Sequence, residues 1–144
     1  MRYAHVRELD RPLFELKDQI SSVLYKVDHS YENIEYDRDN EEDVFLTDEF
    51  RRIIDKLCQV ENDLNYLKMP ITEVGVLRKN ELGRYETANG TYFTSGSPIE
   101  AYIYDSWDEI HRWVKSRIEH KNGDYYLYGH DDVKLAGLKV RIRG

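Results

Sequence analysis

The chain has 144 residues, the size of one domain or of two small ones, and long enough to bury a real core. With 40% hydrophobic and 34% charged residues, and no apolar run of about 18 residues, it holds no membrane-spanning helix. A single cysteine, Cys58, excludes an internal disulfide framework and a zinc site built on several thiolates.

The net charge of −7 lies in the first half. Residues 1–69 carry 17 Asp and Glu against 10 Lys and Arg, whereas residues 70–144 carry 11 of each. No apolar stretch follows Met1-Arg2-Tyr3-Ala4-His5, so a cytoplasmic setting is expected rather than secretion.

The first half reads in helical periods. Leu9, Leu13, Leu16, Ile20, Val23 and Val27 recur in alternating steps of 4 and 3, the pattern of an amphipathic helix that faces another helix. Asp10 with Pro12 close behind it predicts the start. Residues 28–49 then hold ten carboxylates against Arg38 alone. Such a block repels itself and reads as an acidic, solvated connection. A second stripe runs through Phe50, Ile53, Leu57, Val60, Leu64 and Leu67. Thr47 is its expected N-cap, and Met69-Pro70 ends it, because the residue before proline avoids helical angles. The expectation for residues 1–69 is an antiparallel helical hairpin with an acidic connection.

From residue 70 the period changes. Thr72–Leu77, Arg84–Thr87, Thr91–Thr94, Ile99–Tyr104, Trp113–His120, Tyr125–Tyr128 and Leu138–Arg143 read as strands. Asn89-Gly90 and Asn122-Gly123 are two-residue hairpin signals in which both positions favour positive φ. Residues 105–112 are open between a loop and one helical turn. Short strands at this spacing predict a small all-β domain over 70–144, as an antiparallel β-barrel or a curled sheet. The fold class is therefore α+β.

Few residues carry chemistry. The histidines are scattered, and no helical His-x-x-x-His or phosphate-cradling glycine loop is present. Cys58 sits beside Leu57 on a helix and reads as a small half-buried residue. No enzyme, cofactor or metal is expected. Two surfaces remain. Asp37, Asp39, Glu41, Glu42 and Asp43 form a dense negative patch. In the β half, Trp107, Trp113 and Tyr126 lie among cations that include Arg117 and Arg141, a mixture that can stack bases and hold phosphates.

Residues 71–143 resemble a small β-rich domain family of unknown function found on Gram-positive phages, plasmids and integrative elements. The likeness rests on Gly83-Arg84-Tyr85, on Thr94-Ser95-Gly96-Ser97-Pro98, on Trp113 to His120, on Tyr125-Tyr126-Leu127 and on Leu135 to Arg143. It implies a β-rich fold and a mobile-element setting, and no activity. In size and charge the chain also resembles the small acidic inhibitors of CRISPR effector nucleases. The expectation is a non-enzymatic inhibitor whose carboxylates replace nucleic-acid phosphates in the basic groove of a host nucleic-acid-handling protein. The alternative is a nucleic-acid- or nucleotide-binding β module, with the helices forming a homo-oligomer.

Overall fold

A computed structural model describes residues 1–144. The chain divides into two compact units, Met1–Lys68 and Met69–Gly144.

In the first unit a short 3-10 turn, Val6–Leu9, leads into α1 (Asp10–Tyr25), and α2 follows (Glu41–Lys68). Three contacts fix the helices as antiparallel. The Lys68 ammonium lies over the Phe14 ring, Ser21 donates to Glu61, and Leu24 packs with Ile20 and Ile54. α1 ends where Asp28 and His29 turn to positive φ. The His29 amide there reaches back to the Leu24 carbonyl, closing the exposed helix end as a left-handed cap does.

The second helix starts six residues before the expected cap. Asn40, not Thr47, caps it: the Asn40 side chain accepts from the Asp43 amide at 3.0 Å. Thr47 is buried, and its hydroxyl donates to the Asp43 carbonyl one turn back. Glu41, Glu42 and Asp43 thus form a first helical turn, where negative charge meets the positive end of the dipole. The acidic connection is shorter than expected because favourable helix-start chemistry outweighs the repulsion within the block.

The seam between the helices also differs in phase from the periodic stripes. Thr47, Ile54 and Glu61, seven residues apart, are buried together with Leu64, Ile20 and Leu24. Leu9, Leu13, Leu16 and Val23, and likewise Phe50, Ile53, Val60 and Leu67, remain 40–55% exposed.

The second unit has eight strands, all paired antiparallel. They are β1 (Ile71–Val76), β2 (Arg78–Lys79), β3 (Tyr85–Glu86), β4 (Tyr92–Phe93), β5 (Pro98–Asp105), β6 (Ile110–Lys121), β7 (Asp124–Leu127) and β8 (Lys139–Arg143). Five form a sheet in the order β1-β8-β5-β6-β7, and β2-β3-β4 form a small second sheet. The large sheet is not closed into a barrel: β1 and β7 are its edges, and neither pairs with the other or with the small sheet. Residues 106–109 form a turn between β5 and β6 rather than a helix.

The hairpin signals behave differently. Asn122 and Gly123 both take positive φ, as a two-residue turn demands, whereas only Gly90 does so in its pair. Residues 87–91 form a longer loop, with Thr87 donating its amide to the Thr91 carbonyl.

Alternation along the strands sorts the side chains. One face of the large sheet presents Ile99, Ala101, Ile118, Leu127 and Val140, which pack with Leu77, Tyr85 and Phe93 of the small sheet region and with Leu135 and Leu138. This is the core. Within this unit the small sheet and the 129–138 loop pack on that face, and no other part of the unit forms a layer on the opposite one, as one-sided antiparallel sheets allow.

Gly75 marks a close approach: a Cβ there would stand 3.2 Å from Thr87. Thr87 is buried and donates its hydroxyl to Glu73 at 2.5 Å. This bond holds the Glu73 carboxyl below its ordinary value of 4.5. A depressed folded-state pKa gives stability that is complete above about 4.5 and is lost as pH falls through the folded value. The urea midpoint of the β unit is therefore expected to drop between pH 5 and pH 3, and to drop less in Thr87→Val. Both tryptophans lie in this unit, so their fluorescence follows it.

Candidate ligand-binding face on the open sheet

The uncovered face is built from alternate residues of five strands. The β5–β6 register sets Glu100 opposite Lys115, Tyr102 opposite Trp113 and Tyr104 opposite His111. On the other side of β5, Arg141 stands opposite Glu100. Directly opposed side chains in such pairs lie about 4.5–5.5 Å apart, close enough to pack.

The rings form a continuous row. Tyr102 stacks on His111 with centroids 5.3 Å apart and planes 20° from parallel. It meets Trp113 at 5.0 Å, and Tyr104 meets His111 at 5.2 Å. Cations lie over this row. The Arg141 guanidinium is 4.3 Å from the Trp113 ring centre, and the Lys139 ammonium is 5.2 Å from Tyr102 and 5.6 Å from Trp113. Further along, Arg117 sits 3.6 Å from the centre of the Tyr128 ring. Rings attract such cations through their negative faces.

Two carboxylates organise the cations. Glu100 is buried, and each of its oxygens accepts a 2.5 Å bond, from Arg141 Nε and from Arg143 Nε. Glu119 accepts from Ser95 and, at 2.7 Å, from Arg117. The Ser95 hydroxyl first, and then Arg117, hold the Glu119 carboxyl below its ordinary value, and the Glu119 bond raises Arg117 in turn. The face as a whole carries Lys115, Arg117, Lys121, Lys139, Arg141 and Arg143 against Glu100, Glu119 and Asp124, a charge of +3 in a half-chain that is neutral overall. The compensating acids, among them Asp105, Asp108, Asp131 and Asp132, sit in or beside loops.

Of the residues singled out in the sequence, Trp113, Arg117 and Arg141 come together here. Tyr126 joins them at the β7 edge, directly opposite Glu119. Trp107 does not: it occupies the β5–β6 turn at 92% exposure, with its amide held by Asp105. Tyr102, Tyr104, His111, Lys139 and Glu100 complete the face; of these, Tyr102, Tyr104 and Lys139 already belong by residue type to the aromatic and basic set of the β half, whereas His111 and Glu100 do not stand out in the sequence. Strand alternation around the 106–109 turn would place Tyr102, Tyr104 and His111, but only once that turn is known to be a hairpin.

The acidic set gathers at the other unit's α2 start. Asp43 accepts the Asp37 amide, and Asp37 accepts the Asp39 amide at 3.0 Å. These carboxylates brace the entry to the helix, and Glu41 and Glu42 are exposed beside them.

Most of the open face, with the core behind it, lies within one matched stretch of the chain. Residues 75–142 match the family model of a domain of unknown function, DUF5348. The match takes in nearly the whole β unit and none of the helical one. No curated protein matches the chain, and no solved structure does. No helix is long and apolar enough to cross a membrane.

Proposed function

We propose that the DUF5348 region is a non-catalytic binding module whose open sheet face takes single-stranded nucleic acid. The observation that carries this reading is the Tyr104–His111–Tyr102–Trp113 row with Lys139 and Arg141 over its rings. Aromatic rings on an exposed sheet stack bases without regard to sequence, while nearby cations hold the phosphates. A duplex hides its base faces, so single strands are preferred. The +3 charge on this face supplies the attraction that a neutral domain otherwise lacks.

Fluorescence anisotropy of the full chain with labelled 12-nucleotide single strands, against a duplex of the same length, tests this. Saturable, salt-weakened binding of single strands is expected. Trp113→Ala is expected to weaken it by about 5- to 150-fold, the equivalent of roughly 1–3 kcal/mol of stacking. Absence of single-strand binding at low salt, or binding indifferent to Trp113→Ala and Tyr102→Ala, sinks the reading.

A second reading draws on the braced acidic turn at the start of α2. Carboxylates fixed by backbone amides present a defined negative surface rather than a diffuse one, which suits an acidic, mobile-element inhibitor of a CRISPR effector or another basic nucleic-acid-handling protein. Glu41→Lys with Glu42→Lys leaves the bracing carboxylates in place. It should abolish competition with nucleic acid for a purified effector if this reading holds, and a wild-type chain that never competes excludes it.

A further inference from the structure

We infer that the helical unit pairs with a second copy of itself, through the apolar side that α1 and α2 turn away from each other, to form a four-helix assembly. Three observations lead there.

The first is spacing. Leu9, Leu16 and Val23 lie seven residues apart, as do Ile53, Val60 and Leu67, and all six are 40–55% exposed. The buried set Thr47, Ile54 and Glu61 keeps the same interval on α2. Helix α2 thus carries two heptad rows, one buried, whose Ile54 and Glu61 meet α1, and one exposed. A row repeating every seven residues suits a second helix, whose surface presents holes at the same interval.

The second is continuity across the two helices. Val23 and Val27 of the α1 side line one groove with Phe50, Ile53 and Leu57 of α2, a hollow of about 360 Å³ whose lining is wholly apolar. The two exposed rows therefore belong to one surface near this end of the hairpin. No charged side chain lines the groove, which disfavours a basic or acidic partner and suits a self-complementary one.

The third is area. Burying a whole aliphatic side chain removes roughly 100 Å² of apolar surface, so eight half-exposed side chains leave about 400 Å² per copy. A two-fold pairing removes about 800 Å² of apolar surface from the two copies, or about 1,200 Å² in all at the ~65% apolar share of homodimer interfaces. That reaches the size at which specific dimers are stable. An isologous pairing of two hairpins also closes on itself, with no free apolar row left to recruit a third copy.

Sedimentation equilibrium of the full chain at micromolar concentration measures this. The 17.2 kDa chain is expected to run at twice its mass. Leu16→Lys with Ile53→Lys is expected to give a monomer with unchanged helical circular dichroism, since both positions are 44–48% exposed and outside the buried seam. Val23→Lys with Val60→Lys is the companion variant, should the first pair lose helicity. A wild-type monomer up to about 100 μM, a range in which interfaces of this size associate, overturns the inference. So does a dimer that both variant pairs leave intact. Neither result bears on single-strand binding, because every substitution lies in the helical unit.

Discussion

Glu100→Gln is expected to destabilise the β unit by about 3–5 kcal/mol, the usual cost of leaving a buried charge without its partner. Glu100 is 4% exposed, and Arg141 and Arg143 donate to separate oxygens of the same carboxylate. The side chains of these arginines are only 19% and 14% exposed, so neither can recover full hydration when the carboxylate is neutralised. Arg143 has a second anchor in the Met69 carbonyl at 3.0 Å, and Arg141 has the Trp113 ring. Arg141 is therefore the residue expected to swing outward. The check is urea unfolding followed by tryptophan fluorescence: a lower midpoint and a shift in native emission, because the cation over Trp113 moves. A change below about 1 kcal/mol would mean that solvent reaches the cluster and that it behaves as an ordinary surface ion pair. The same variant should also weaken single-strand binding, because Arg141 would no longer be held over the aromatic row.

Leu24→Ala is expected to cost the helical unit about 2–5 kcal/mol, the range for removing a fully buried leucine. Leu24 is 0% exposed, and its buried apolar neighbours are Ile20 and Ile54, with Val27, Leu57 and Cys58 packed around them. A core this small has little capacity to collapse into the space left behind. The larger core of the β unit shares none of these residues. Loss of the 222 nm helical signal with unchanged tryptophan emission is the expected pattern. Joint loss of both signals would show that the two units unfold as one.

Much of this architecture can be read from the residues. The change of hydrophobic period near Pro70 separates helices from strands, and Asn122-Gly123 places its turn correctly. What cannot be read is direction. A stripe of Leu and Val at steps of 3 and 4 says that a helix has an apolar side, but not which part of a broad stripe meets the neighbouring helix. Leu24 and Glu61, outside the simplest stripes, lie in the seam, while Leu16 and Ile53 do not. Acid density masked the start of α2, because Glu41–Asp43 read as repulsive until Asn40 is seen to cap them. On the sheet, Trp113 and Arg141 stand out as residue types, but their meeting depends on β8 lying beside β5, a long-range pairing with no local signature. Glu100 is the extreme case: an acid in an alternating strand reads as solvent-facing, and two arginines from a strand distant in sequence help to make its burial tolerable.

The placement of β8 governs how the β unit must form. It is the last strand in the chain order of the unit, yet it lies between β1, the first, and β5, joining them through pairs such as Ile71 with Arg143 and Glu100 with Arg141. The β5–β6 hairpin can form early, since its loop is short, but β1 has no strand partner until nearly the whole unit has been brought round on itself. Closing so long a loop costs entropy before any contact repays it, so refolding is expected to be slow for a unit of this size. Until β8 inserts, two raw strand edges stand open, and shortening the chain by those five residues would leave both exposed to pairing with other molecules.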